Sequence, residues 1–336
     1  MKKAIKIIFF LIFIQSFIFA NNNNDFFDDA KTYELEGGKI IVQGEISNPG
    51  QVDFKNLKLR SLIVRETKFE NGKIKFTGSY RYDGYSLFDI LKNRILNKKN
   101  RIEFKPVVDL LVVIENSKGE KVVLTWGELF YPANLHRILI ATKVSPVIPV
   151  KTKEQWPLPR KRKMIFANDF ITERNIKNPV KITVISAPVH IKVNRKAKLY
   201  SEKINLIKNN KIAGEITDWK NFQYRLNYPT VFYGRGRGFH GINIFKGVPL
   251  KSVLKDFTDK ENVNLIRKGY FIVSAVDGYR ITISYSELFN RNDNSEFLLI
   301  DKGVNSKGGR FKIYPSADFF SDRAVKSIDK IFFKNI

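Results

Sequence analysis

The sequence predicts a β-rich α+β fold, used twice in tandem along one chain. Three observations predict it: an ordered set of residues that recurs 149 residues downstream, short apolar runs joined by glycine turns, and helix-spaced leucines between them. The recurrence is firmest near the C-terminus. Asp318-Phe319-Phe320-Ser321-Asp322-Arg323-Ala324-Val325-Lys326, followed by Lys330-Ile331, repeats the spacing of Asp169-Phe170-Ile171-Thr172-Glu173-Arg174-Asn175-Ile176-Lys177 followed by Lys181-Ile182. Upstream the order persists with looser offsets. Gly119 to Glu128-Leu129-Phe130 mirrors Gly278 to Glu287-Leu288-Phe289; Gly84-Tyr85-Ser86-Leu87 mirrors Gly247-Val248-Pro249-Leu250; Gly44-Glu45-Ile46 mirrors Gly214-Glu215-Ile216. A duplicated domain whose loops have drifted in length behaves this way.

Taken in order, residues 1–20 read as a cleavable secretory signal. A basic head (Lys2, Lys3, Lys6) precedes the apolar run Ile7 to Ile14, and Phe19-Ala20 offers a small residue at the cut. The run is short for a membrane span, which needs about 20 residues. The expectation is therefore an exported chain, periplasmic or extracellular, with no stable span after cleavage. Residues 21–38 read as a polar linker, 39–186 as the first copy, and 187–336 as the second, its core starting near 211. Ile40 to Ile46 and Lys211 to Ile216 read as strands. Leu87 to Leu91 and Leu250 to Leu254 place apolar residues four apart, as one helix face does. Leu110 to Ile114 and Lys121 to Leu124 read as a hairpin turned at Lys118-Gly119, and Tyr270 to Ser274 and Arg280 to Ser284 as its counterpart turned at Asp277-Gly278. Each copy closes on an alternating strand, Val180 to Ile185 and Ile328 to Phe333. Pro146 to Pro159 forms a long loop within copy one, and the basic stretch His190 to Lys211 joins the copies.

Composition narrows the chemistry. The chain has no cysteine, which excludes disulfides, thiolate metal sites, covalent haem and cysteine nucleophiles. Lys and Arg number 59 against 33 Asp and Glu, a net charge of +26 that attracts anions, acidic proteins or anionic surfaces. Abundant Lys, Asn, Ile and Phe also fit an AT-rich gene, so charge alone names no ligand. Export argues against nucleic acid as a partner.

Lys246-Gly247-Val248-Pro249-Leu250, then Val276-Asp277-Gly278-Tyr279-Arg280-Ile281-Thr282-Ile283 and Glu287-Leu288, resemble the molybdopterin-binding oxidoreductase domain of the sulfite-oxidase superfamily, as does Gly309-Arg310-Phe311 through Asp318-Phe319 to Lys326. Asn48-Pro49-Gly50 and Gly84-Tyr85-Ser86-Leu87 carry a fainter likeness in copy one. The resemblance implies a sulfite-oxidase-type molybdopterin-binding domain duplicated in tandem, and a molybdopterin-type pterin cofactor. It also implies a cysteine ligand to the metal in the region of Tyr233, where this chain has none. The implied function is thus a noncatalytic or divergent member that binds an anionic small molecule or an exported protein partner. An active oxidoreductase or redox-complex subunit with non-cysteine ligation is the alternative.

Six residues stand out as candidate cofactor contacts: Tyr233, Arg235, Arg237, His240, Arg323 and Lys326. In Gly234-Arg235-Gly236-Arg237-Gly238, glycines let a ligand approach the backbone and two arginines suit a phosphate or carboxylate; the same run also reads as a solvated loop. Arg323 and Lys326 recur as Arg174 and Lys177, which fits an anion site in each copy or a structural Asp–Arg contact, the latter favoured. His136, His190 and His240 lack the spacing of a ligand pair, so no metal site and no catalytic residue is assigned. Trp126 and Tyr279 read as packing residues.

Overall fold

The structure is a computed structural model that describes residues 30–218, 222, 225–304 and 306–336. The stretch read as a secretory signal and the first part of that read as a polar linker lie outside the described residues. In the first half the strands run β1 (Tyr33–Glu34), β2 (Ile41–Gly44), β3 (Gly50–Gln51), β4 (Leu59–Glu70), β5 (Lys73–Ser86), β6 (Leu110–Asn116), β7 (Lys121–Thr125), β8 (Ile138–Pro146), β9 (Lys163–Phe166) and β10 (Pro179–Ser186). The second half holds β11 (Ile204–Lys208), β12 (Lys211–Ile216), β13 (Leu226–Gly234), β14 (Gly238–Pro249), β15 (Gly269–Ala275), β16 (Arg280–Ser284), β17 (Phe297–Asp301), β18 (Phe311–Pro315) and β19 (Ile328–Asn335).

These strands form four small sheets in a four-bladed propeller arrangement, with 46% strand and 11% helix, and this corrects the α+β, sulfite-oxidase-type fold class. The orders are β1-β8-β5-β4 with β9 on β8, then β3-β2-β10-β6-β7, β12-β11-β19-β15-β16 and β13-β14-β17-β18. Helices do form where leucines stand four apart, at Leu87–Lys92 and Leu250–Leu254. They span 6 and 5 residues, too short to form a layer over a sheet. The long ribbons β4–β5 and β13–β14, absent from the sequence reading, each supply two strands of a sheet instead. Tyr33–Glu34, within the stretch read as linker, pairs with Val144 and Lys143 of β8.

The halves meet face to face. On β6, Leu110, Val112 and Ile114 point into the main core, while Leu111 and Val113 join a second cluster with Tyr270 and Ile272 of β15. Both faces are therefore dry, which is why β6 and β15 read as unbroken apolar runs rather than alternations. Each fully buried Leu or Ile contributes about 2 kcal/mol. Two recurring glycines are explained by backbone crossings. A Cβ on Gly84 would stand 2.2 Å from the Ile140 carbonyl oxygen, and one on Gly247 would stand 2.7 Å from that of Leu299.

The loop after each short C-terminal-hairpin helix crosses to the other half. Ala133 N donates to Ala317 O at 2.9 Å and Phe319 N to Tyr131 O at 2.8 Å; reciprocally, Asn292 N donates to Asn168 O at 2.9 Å and Phe170 N to Asn290 O at 2.8 Å. This exchange locks the ring with approximate twofold symmetry.

Candidate functional site

The recurring Asp–Arg motif lies at that exchange. Arg323 donates through Nε and Nη2 to Asp318 at 2.7 and 2.6 Å, and through Nη1 to Glu287 at 2.7 Å. Arg174 does the same with Asp169, at 2.8 and 2.6 Å, and reaches Glu128 at 2.6 Å. The Ser and Thr that cap the two short helices cross-link the pair: Ser284 Oγ donates to Glu128 at 2.8 Å, and Thr125 Oγ1 donates to Glu287 at 3.3 Å. Burial pushes Glu287 up to about 7 against the pull of Arg323, with Glu128 adding to the rise. Burial likewise lifts Asp169 to about 6. The adjoining cavity holds about 30 Å³, room for a water or two and no ligand. Arg323 is fully buried and its charge is answered by the protein's own carboxylates. This network is structural cement.

Of the other sequence-derived candidates, Tyr233, Arg235, Arg237 and His240 share one place, the turn between β13 and β14. The Tyr233 ring packs on Phe319 and Phe320, with centroids 5.6 and 6.2 Å apart. Arg235 lies 3.4 Å from Asp322 and over the Tyr131 ring. Arg237 is exposed with no ion-pair partner among the described residues, and His240 leans on Phe232. Lys326 sits apart, bridged through its backbone to Lys312. These residues do not fit the molybdopterin-type group that the resemblance implies. The turn offers a phenol and exposed cations but no soft donor, and half of its arginine charge is taken by Asp322. Among the described residues no cluster of His, Asp and Glu is arranged to hold a metal, and no helix is long and apolar enough to cross a membrane.

The structure opens a different site, in the first half. A cleft of about 470 Å³ lies between the β4–β5 ribbon, the Thr172–Arg174 turn and the second half's helix Val263–Lys268. That volume is in the range of small-molecule sites. At its base Lys163 Nζ donates to both oxygens of Glu66, at 2.5 and 2.6 Å, and Tyr82 Oη donates to the same carboxylate at 3.0 Å. Burial holds Lys163 below the usual lysine range, with Glu66 pulling the other way. The remaining acids are spoken for. Glu173 pairs with Arg267 at 2.9 Å, and Glu120 pairs with Arg267 at 3.1 Å and accepts from Asn116. Lys161 pairs with Glu36 at 2.7 Å. Lys68, Lys118 and Lys177 also line the cleft, are exposed, and have no carboxylate partner among the described residues. A larger trough of about 810 Å³, walled by Trp156 and neighbouring prolines, has no buried charged group in its lining.

At the equivalent place in the second half, Lys312 replaces Lys163. Its ammonium lies 4.4 and 4.3 Å from the ring centroids of Phe232 and Phe245, the counterparts of Glu66 and Tyr82, and burial lowers it to about 8. One half keeps a polar, charged cleft where the other has packed aromatic rings. Sequence reasoning missed this site because Glu66 and Lys163 are 97 residues apart. The only signal was that Lys163 precedes Lys177 by the same interval as Lys312 precedes Lys326.

No protein-family model matches the chain, and no curated protein matches it.

Proposed function

We propose that the chain is an exported binding protein for an anionic small molecule, held in the cleft between the β4–β5 ribbon and the helix Val263–Lys268. The observation that carries this reading is the unmatched cationic rim of Lys68, Lys118 and Lys177 above a base whose carboxylate is already saturated. A ligand carrying two or more negative charges would answer the rim lysines as point charges, while Ser117 and Asn178 supply neutral polar contacts. The Glu66–Lys163 pair shapes the floor and leaves no free nucleophile. Support for export comes from the basic, apolar, then polar order of residues 1–24.

Thermal unfolding in the presence of pyrophosphate, glucose 6-phosphate or succinate tests the reading. A ligand at 100 times its Kd stabilises by about 2.7 kcal/mol. The expected result is a rise in Tm with at least one probe, abolished in Lys68→Ala with Lys177→Ala. No shift with any of the three, or shifts unchanged in the double variant, would refute the assignment.

A further inference from the structure

The β13–β14 ribbon carries a surface that the cleft does not explain. Its outward positions pair Pro229 with Ile244 and Val231 with Ile242. Val231, Ile242 and Ile244 are 59%, 77% and 62% exposed. The first half is an internal control for what the fold requires there. The same positions of β4–β5 pair Ile63 with Arg81 and Arg65 with Ser79. An apolar face is therefore no condition of folding, and an exposed apolar patch marks an interaction site.

The backbone points the same way. In the first half, β5 is paired from Tyr80 to Ser86 along β8, through Pro146. In the second, β14 pairs with β17 only at Val248 and Pro249. β17 stops at Asp301, whose carboxylate takes Gly303 N at 2.9 Å and the Arg310 guanidinium at 3.0 Å, turning the chain back into β18. Among the described residues, 239–247 consequently have no strand on that side, an open row of donors and acceptors beside an apolar face.

We propose that this edge receives an extended segment of a partner protein, added antiparallel in the place that Lys143–Pro146 of β8 occupies in the first half. The segment would set β-branched apolar residues beside Ile242 and Ile244 and carry acidic ones at its ends, near Lys246 and Arg237. Acidity follows from charge, since exposed Arg237 and Lys246 stand at the two ends of the edge on a chain of net charge +26. The same charge opposes a second copy docking edge to edge. A lipid bilayer is disfavoured because an open strand edge loses its hydrogen bonds in hydrocarbon. Strand addition satisfies backbone and side chains together.

The test uses the full chain and a fluorescein-labelled, capped peptide Glu-Thr-Val-Thr-Val-Thr-Val-Glu, with a control of equal charge in which two valines become proline. Fluorescence anisotropy is expected to show binding at least about tenfold tighter than the control, because proline removes ladder donors. Hydrogen exchange of residues 239–247 is expected to slow on binding, and Ile242→Thr with Ile244→Thr to weaken binding with an unchanged Tm. Equal affinity for the two peptides, or no binding, would overturn the proposal. So would protection of the edge by phosphatidylglycerol vesicles or by self-association in sedimentation while the peptide gives none.

Discussion

Replacing Lys163 with Met tests whether the floor of the cleft is held as described. Lys163 and Glu66 have side chains only 8% and 10% exposed, joined by two hydrogen bonds of 2.5 and 2.6 Å. Removing the ammonium strands a buried carboxylate, a change that costs about 3–5 kcal/mol. Two features limit it. Tyr82 and Asn175 still donate, at 3.0 and 3.4 Å, and protonating an ordinary glutamate at pH 7 costs about 3.7 kcal/mol, which caps the penalty. The expected loss is about 3 kcal/mol, or a Tm lower by about 6 °C at about 2 °C per kcal/mol for a chain of this size. The second half supplies the rescue, because Phe232 stands where Glu66 does. Glu66→Phe in the Lys163→Met background removes the stranded charge and leaves chiefly an unpaired Tyr82 hydroxyl, worth about 1 kcal/mol. The double variant should therefore regain about 1–2 kcal/mol. Urea unfolding followed by tryptophan fluorescence reads both values, with m unchanged. A single-variant cost below about 1 kcal/mol, or a double variant less stable than the single one, would refute the reasoning.

Other perturbations follow from the exchange between the halves. A Cβ on Gly127 would stand 2.5 Å from Arg323 Cδ and 2.7 Å from its Nη1; Arg323 is fully buried and clamped, so Gly127→Ala should lose about 2 kcal/mol or more in a urea melt. Glu287 and Asp169 hold protons in the folded state up to about 7 and about 6. Since the unfolded chain releases them near pH 4, the native state binds more protons in between, and stability should rise as pH falls from 8 to 5. Glu287→Gln should flatten that slope, and an identical slope in the variant would count against the assignment. Arg323→Lys, which cannot bridge Asp318 and Glu287 with a planar fork, should lose about 2–3 kcal/mol in the same measurement.

The strands at the centre of each half were legible because their residues are extreme: Leu110 to Ile114 and Tyr270 to Ser274 are buried on both faces, and glycine turns bound them. The helix at Leu87 was legible from spacing, because Leu87 and Leu91 stand four apart on one buried face. What escaped were the ribbons. In β4, exposed Ser61, Ile63 and Arg65 alternate with buried Leu62, Val64 and Glu66, and the inward glutamate breaks the apolar face; only Lys163, far along the chain, neutralises it. In β14, outward Ile242 and Ile244 blur the alternation from the other side. The recurrence of Arg174 and Arg323 was visible, and their burial against Glu128 and Glu287 shows why such a pair persists in both halves. The fold class failed because helices of five or six residues were granted the weight of a layer.

Calorimetric titration of pyrophosphate into three proteins tests the cleft most directly: the unaltered chain, Lys68→Ala with Lys177→Ala, and Arg235→Ala with Arg237→Ala. The cleft predicts one site per chain that weakens at least about tenfold in the lysine variant and is unchanged in the arginine variant. Binding that survives loss of the lysines and disappears with the arginines would contradict it and move the site to the β13–β14 turn.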